Sequence, residues 1–281
     1  MKKILIAVGV LLIIGISAFF LRGNIRDVTL ELEKRQLPTE VKDVTVKDAA
    51  TPSVNAATPS VNVATPSVNV ATPSPTAAAN KFAGLNLAVP FSAQAPYGDW
   101  SLPYAEACEE ASALLVDRFY TGAELTPEIV KQEILKIVDW ENKTFGYYEH
   151  TTAKETGRIL KEYFNYKRVD VNYDISLADI KAQIMAGRPV IVPLAGRLIG
   201  NPYYRQPGPI YHMLVIKGLT KDGDFITNDV GTKRGNNYVY DANVLYDAIH
   251  DAPYGGGELN DIGLEKDIPT GRKAIIVVYP N

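Results

Sequence analysis

The sequence predicts an α+β domain, helices first and an antiparallel sheet after them, preceded by a membrane-entering segment and a stalk. Three observations carry the prediction. Apolar residues recur at helical spacing downstream of Cys108. Beyond Pro189 they gather instead into short runs separated by turn residues. Before residue 85 the chain has no pattern that can bury a core, which leaves 85–281 as the globular part, long enough for one domain.

Ala111, Leu114, Leu115 and Phe119 form the first apolar stripe, on a helix that begins near Cys108 and stops at Gly122. Thr126-Pro127-Glu128 is a start signal for a second helix, with Val130, Ile134 and Ile137 on one face. A third is expected from Thr152 to Tyr163. Ser176 caps the fourth, Asp179 sits in its first turn, Ile180 and Ile184 line one side, and Gly187 and Pro189 end it. The strands are then Val190 to Leu194, Met213 to Ile216, Asp224 to Thr227, and Ala274 to Tyr279. Lys221-Asp222-Gly223 is a tight-turn signal, so the second and third of these pair as an antiparallel hairpin. The first helix packs on the sheet.

The first 24 residues are of another kind. Lys2 and Lys3 precede an uncharged apolar run from Ile4 to Leu21, at the lower limit of length for a helix crossing about 30 Å of hydrocarbon. It reads as a signal sequence or a transmembrane anchor. The run exceeds a usual signal core and lacks a small-x-small cleavage site, which favours the anchor. The lysines favour a cytoplasmic N-terminus and an extracytoplasmic domain, secreted if the segment is cleaved. Residues 25–84 read as a disordered linker, because ATPSVN-type repeats from Ala50 to Thr76 place a proline in every repeat and nothing that packs.

Composition excludes one class of partner. With a formal net charge of -3 the chain has no basic surface for phosphates, so no nucleic acid is expected. Nor is a cofactor or a metal: the three histidines lack ligand spacing, and Gly255-Gly256-Gly257 lacks the strand-to-helix setting of a phosphate loop.

One cysteine remains as a candidate nucleophile. A lone cysteine is commonly a small buried hydrophobe, but Cys108 falls in the first turn of the first helix, where free backbone N–H groups and the helix dipole favour a thiolate. Glu109 and Glu110 also suit a helix N-terminus, and are expected to point away from the sulfur. Of the possible imidazole partners, His212 opens an apolar strand that can aim its ring into a cleft, whereas His150 and His250 sit in polar surroundings and read as surface residues. Asp229, at the end of the strand pairing with that of His212, can orient the ring, and its neighbour Asn228 is the rival, since a one-residue slip exchanges the two faces. Tyr97, Trp100, Tyr203, Tyr204 and Tyr211 are candidate cleft residues, and the loop from Gly196 to Ile210 a candidate lid.

Val89-Pro90-Phe91-Ser92-Ala93-Gln94-Ala95-Pro96-Tyr97-Gly98-Asp99-Trp100, followed by Ala107-Cys108-Glu109-Glu110-Ala111-Ser112, resembles the opening of the C39-like cysteine peptidases, relatives of the bacteriocin-processing double-glycine peptidases. His212 before an apolar strand, and Asn228-Asp229 after the next, resemble that family's later motifs. The resemblance runs from about Val89 to Tyr279 and implies a papain-like fold, a triad of Cys108, His212 and Asp229, and Gln94 as the oxyanion-hole side chain. It implies hydrolysis of peptide or amide bonds, with a peptide or protein as partner, a cell-wall peptide among the candidates. The rival readings are a peptidoglycan-directed amidase or endopeptidase on the same triad, and a cell-surface binding module without turnover.

Overall fold

The computed structural model describes residues 22–23, 25–43, 82–254 and 265–280. The expected span Ile4 to Leu21, the repeats and Gly255 to Gly257 lie outside the described residues. Among the described residues no helix is long and apolar enough to cross a membrane.

The sequence signals act where they stand. Helix α1 is Cys108–Thr121, closed by Gly122 in the left-handed conformation at φ 67°. Helix α2 is Pro127–Thr144, with the Thr126 hydroxyl accepting from the Ile129 N–H and proline in the first turn. Helix α3 is Ala153–Arg158, opened by a capping box of Thr152 and Glu155 and prolonged by a π-helical turn over Ile159–Tyr163. Helix α4, Leu177–Met185, is capped in the same reciprocal way by Ser176 and Asp179. A short helix α5, Ala242–Ala248, follows the last hairpin, with Asp241 as its cap.

The sheet has eight strands: β1 Glu40–Val41, β2 Leu85–Leu87, β3 Arg168–Tyr173, β4 Val190–Ala195, β5 Tyr211–Leu219, β6 Phe225–Asn228, β7 Tyr238–Tyr240 and β8 Ala274–Tyr279. The order is β1-β2-β5-β4-β8-β3, with β6 joined to β5 and β7 to β6. Every pairing is antiparallel except β1 with β2. The expected hairpin is β5–β6, where Ile216 faces Thr227 and Gly218 faces Ile226, so Lys217 is the extra residue of a bulge. Strand β4 accepts Pro193 because β8 reaches only Val190 and Ile191, and beyond them the Pro193 carbonyl accepts from the His250 N–H at 3.1 Å, a contact that asks no N–H of the proline. All nine residues of β5 are buried, and α1 packs across it.

Part of the expected linker is structured. Residues 25–34 are helical, and β1 adds to the sheet edge through Glu40 opposite Asn86 and Val41 opposite Leu87. Nothing periodic marks a two-residue strand, and its edge comes from β2 nearly fifty residues on, so no local signal announces it. The remainder of that linker, 44–81, lies outside the described residues.

Candidate active site

Cys108 is the first residue of α1, and the helix start aims it at β5, where the Met213 N–H donates to its sulfur at 3.3 Å. Next to Met213, His212 lines the same cavity as Cys108 and Gln94, a cleft of about 730 Å³. The His212 ring has room because residue 231 is glycine: a Cβ there would lie 2.8 Å from His212 Cε1 and 3.1 Å from Tyr204 Cε1.

Asp229 sits one residue beyond β6 and is wholly buried. One carboxylate oxygen meets His212 Nε2 at 2.9 Å and accepts the Gly231 N–H at 3.0 Å. The other accepts from the Tyr204 and Tyr240 hydroxyls, each at 2.6 Å, and from the Asn201 amide at 3.0 Å. Burial alone would raise its pKa. The histidine and the two hydroxyls more than offset that and hold the carboxyl below its ordinary range. The choice between adjacent residues is thereby settled in geometry: Asn228 turns the other way and donates to the Val89 and Pro90 carbonyls, both at 3.0 Å. Since Asp229 engages Nε2, that nitrogen carries the hydrogen, and Nδ1 is the ring atom with a free lone pair.

The thiol departs from expectation. Glu109 and Glu110 point inward and are fully buried, and the Cys108 thiol donates to Glu109 Oε2 at 3.0 Å. Burial, and then the Glu109 charge, push the thiol well above its ordinary pKa, although the Met213 N–H pulls the other way. The helix N-terminus does not overcome these. Glu109 is itself driven well upward, by burial and by the charge of Glu110. Glu110 on α1 meets Glu141 on α2. No other side chain donates to any of their four oxygens. Such a pair needs a shared proton, and burial followed by the charge of Glu110 raises Glu141. Two acidic residues at a helix N-terminus satisfy the local dipole rule from the outside as well as from the inside, so the sequence pattern does not reveal which way they face.

Gln94 is held by its N–H to the Val230 carbonyl at 2.9 Å and reaches the cleft. Its side-chain amide donates to the Tyr104 carbonyl at 3.0 Å and the Ala105 carbonyl at 2.9 Å, while its oxygen is buried without a partner. Trp100, Tyr203, Tyr204 and Tyr211 line the cleft. Tyr97 does not: it is exposed, with its hydroxyl on Glu128. His150, expected as a surface residue, lines the cleft from a left-handed backbone conformation at φ 56° and lies 3.9 Å from Glu106. His250 sits elsewhere, its Nδ1 2.8 Å from the Gly271 carbonyl. The loop after β4 starts with a 3-10 turn at Gly196–Ile199 and brings Tyr204, Gly208 and Pro209 to the cleft. Sequence reasoning did not find Asn201 and Tyr240 as partners of Asp229. The Tyr238-Val239-Tyr240 alternation is a strand signal for the latter, and nothing local marks the former.

A model of the Peptidase_C39 like family matches residues 86–251, a span that holds Gln94, Cys108, His212 and Asp229. Among solved structures, the chain is similar to one from Bacillus anthracis described as a C39-like peptidase. That likeness has a TM-score of 0.40 and 13% identity, over 69% of this chain and 96% of the other. No curated protein matches the chain in sequence.

Proposed function

Because the chain belongs to the Peptidase_C39 like family, we propose that it is a cysteine peptidase that hydrolyses peptide bonds through Cys108, His212 and Asp229. The observation that supports this most is a fully partnered, buried His212–Asp229 pair on the wall of a cleft that also holds the only cysteine of the chain. The arrangement is papain-like in logic, with the nucleophile on a helix start and the base on a strand.

In this reading the Cys108 side chain turns from Glu109 to His212, and Nδ1 takes the thiol proton. The thiolate attacks the carbonyl carbon of the substrate. The tetrahedral intermediate collapses as His212 returns that proton to the leaving nitrogen, which releases an amine and leaves a thioester on Cys108. Water then attacks the thioester while His212 takes one of its protons, and the sulfur leaves and recovers a proton from His212. Asp229 holds the ring and offsets its positive charge. The Cys108 backbone N–H, in the first turn of α1, has no intrahelical acceptor and is free for the oxyanion. Gln94 contributes a second donor only by releasing one of the two carbonyls it now holds.

The membrane segment expected at Ile4 to Leu21 makes the natural substrate an extracytoplasmic peptide or protein. The test is incubation of purified protein with an unfolded protein chain and, separately, with peptidoglycan, reading new termini by mass spectrometry. New peptide termini from wild type and none from an equally folded Cys108→Ala protein support the reading. Cleavage that persists in Cys108→Ala overturns it, and so does a wild type inert on both substrates.

A further inference from the structure

We propose that residues 25–43 clamp the domain to the N-terminal segment, so that the contacts of 25–43, and not the length of the repeat-bearing stretch, set the distance between that segment and the cleft. The proposal rests on the membrane-anchor reading only for what lies at the far end of the clamp. The clamp itself is built from contacts of the described residues.

Its two ends are fastened differently. At one end β1 pairs in parallel with β2, and the Ala88 N–H donates to the Val41 carbonyl at 2.7 Å. Phe82, on the far side of the repeats, also packs on the core. Whatever course 44–81 takes, both of its ends belong to one body. At the other end Asp27 pairs with Arg234 at 2.7 Å, the Tyr203 hydroxyl donates to the Arg26 carbonyl at 3.2 Å, and Leu30 is buried. Tyr203 and Arg234 both line the cleft. Residues 26 and 27 therefore buttress the cleft wall.

A buried charge shows that the domain depends on this segment. Lys217, the bulged residue of β5, has no exposed side chain, and its ammonium meets Glu40 at 2.5 Å and the Asn237 side-chain oxygen Oδ1 at 2.9 Å. Glu40 also accepts from the Asn237 amide at 3.1 Å. A buried lysine without a carboxylate is strongly disfavoured, and the carboxylate here comes from the clamp rather than from the 86–251 stretch that the family model covers. A domain that kept a cation in its interior for a segment it only sometimes met would spend the rest of its time destabilised.

The experiment uses the full chain in detergent and in vesicles, with a site-specific protease sequence replacing one of the repeats between Ala50 and Thr76. After complete cutting, the two fragments are expected to co-elute in detergent, and the Cys108-bearing fragment to sediment with vesicles as the uncut protein does. A fragment that elutes alone and stays in the supernatant overturns the clamp. If both fragments leave the vesicles together, the anchor reading fails and the clamp stands. The double variant Asp27→Lys, Glu40→Lys keeps the chain covalent until it is cut, and is expected to lose co-elution only then. Retention of the fragment in that variant would place the hold elsewhere and also overturn the assignment. Neither arm depends on peptidase activity.

Discussion

Asp229 and Glu109 are both fully buried and both belong to the same site, one beside the histidine and the other beside the sulfur. Around Asp229 every lone-pair direction has a donor: the ring, a backbone N–H, two tyrosine hydroxyls and an amide. Among the described residues no side chain but the thiol meets Glu109, and behind it no side chain meets Glu110 and Glu141 except each the other. A low dielectric magnifies both situations. The outcome favours the charged form of Asp229 and the protonated forms of the glutamates. The lesson is that burial does not decide the charge of a carboxyl. The donors that burial brings with it do.

Asp229→Asn tests the charged side most severely. The amide keeps the shape but presents N–H groups to the ring and the hydroxyls, which favours the wrong tautomer of His212. We expect kcat/KM on a peptide substrate to fall by roughly 10³–10⁴. A loss below tenfold would show that the pair does not orient the base.

The glutamate side predicts a pH dependence of stability. Burial raises Glu110 from its ordinary 4.5 to about 7. A carboxyl whose folded pKa is raised binds more protons folded than unfolded, so its contribution is complete below about pH 4.5 and is lost as pH climbs to about 7. That window corresponds to roughly 3 kcal/mol. Urea unfolding of wild type across the window is expected to show this decline, and Glu110→Gln to flatten it. An equal slope in the variant would return Glu110 to the ordinary carboxylates.

Glu109→Gln sharpens the contrast at the sulfur. In wild type the Glu109 anion and the Cys108 thiolate oppose one another at alkaline pH, whereas glutamine never ionises and still donates. Alkylation by iodoacetamide is expected to shift to lower pH in the variant, with a rate about tenfold higher at mildly alkaline pH. An unmoved profile would mean that the two groups do not communicate. The smallest effect is that of Glu141→Gln. Burial and the Glu110 charge favour the protonated form of its carboxyl, so an amide that donates to Glu110 is expected to change unfolding free energy by no more than about 1 kcal/mol, read from the same urea curves.

Much of the architecture is legible because local rules and tertiary packing agree. Thr126, Thr152, Ser176 and Gly122 cap helices in the structure as their positions suggest, and the apolar runs at Val190, Met213, Phe225 and Ala274 are strands of one sheet. Strand β3 is not among the expected strands although Val169, Val171 and Tyr173 alternate with Arg168, Asp170 and Asn172, a period-2 signal of a half-buried edge strand. Strands β1 and β2 are too short to carry a period. At the site, residue types with one chemical use, the single cysteine and the strand-borne histidine, announce themselves. Gln94 is on the cleft as expected, yet what its amide touches depends on the 3-10 turn Tyr104–Glu106, which no spacing foretells. The inward turn of Glu109 and Glu110 is a decision of the whole packing, invisible to a rule that weighs one helix at a time.

The ion pair of Glu40 with Lys217 spans 177 residues of sequence. A contact of that range carries a large loop-closure cost before it returns anything, and such contacts slow folding. The strand that emerges early from the ribosome must wait for one made much later, and until β5 arrives the edge it completes does not exist. The fold is therefore complete only when parts distant in sequence meet, and the pair of Asp27 with Arg234 lies farther apart still, 207 residues.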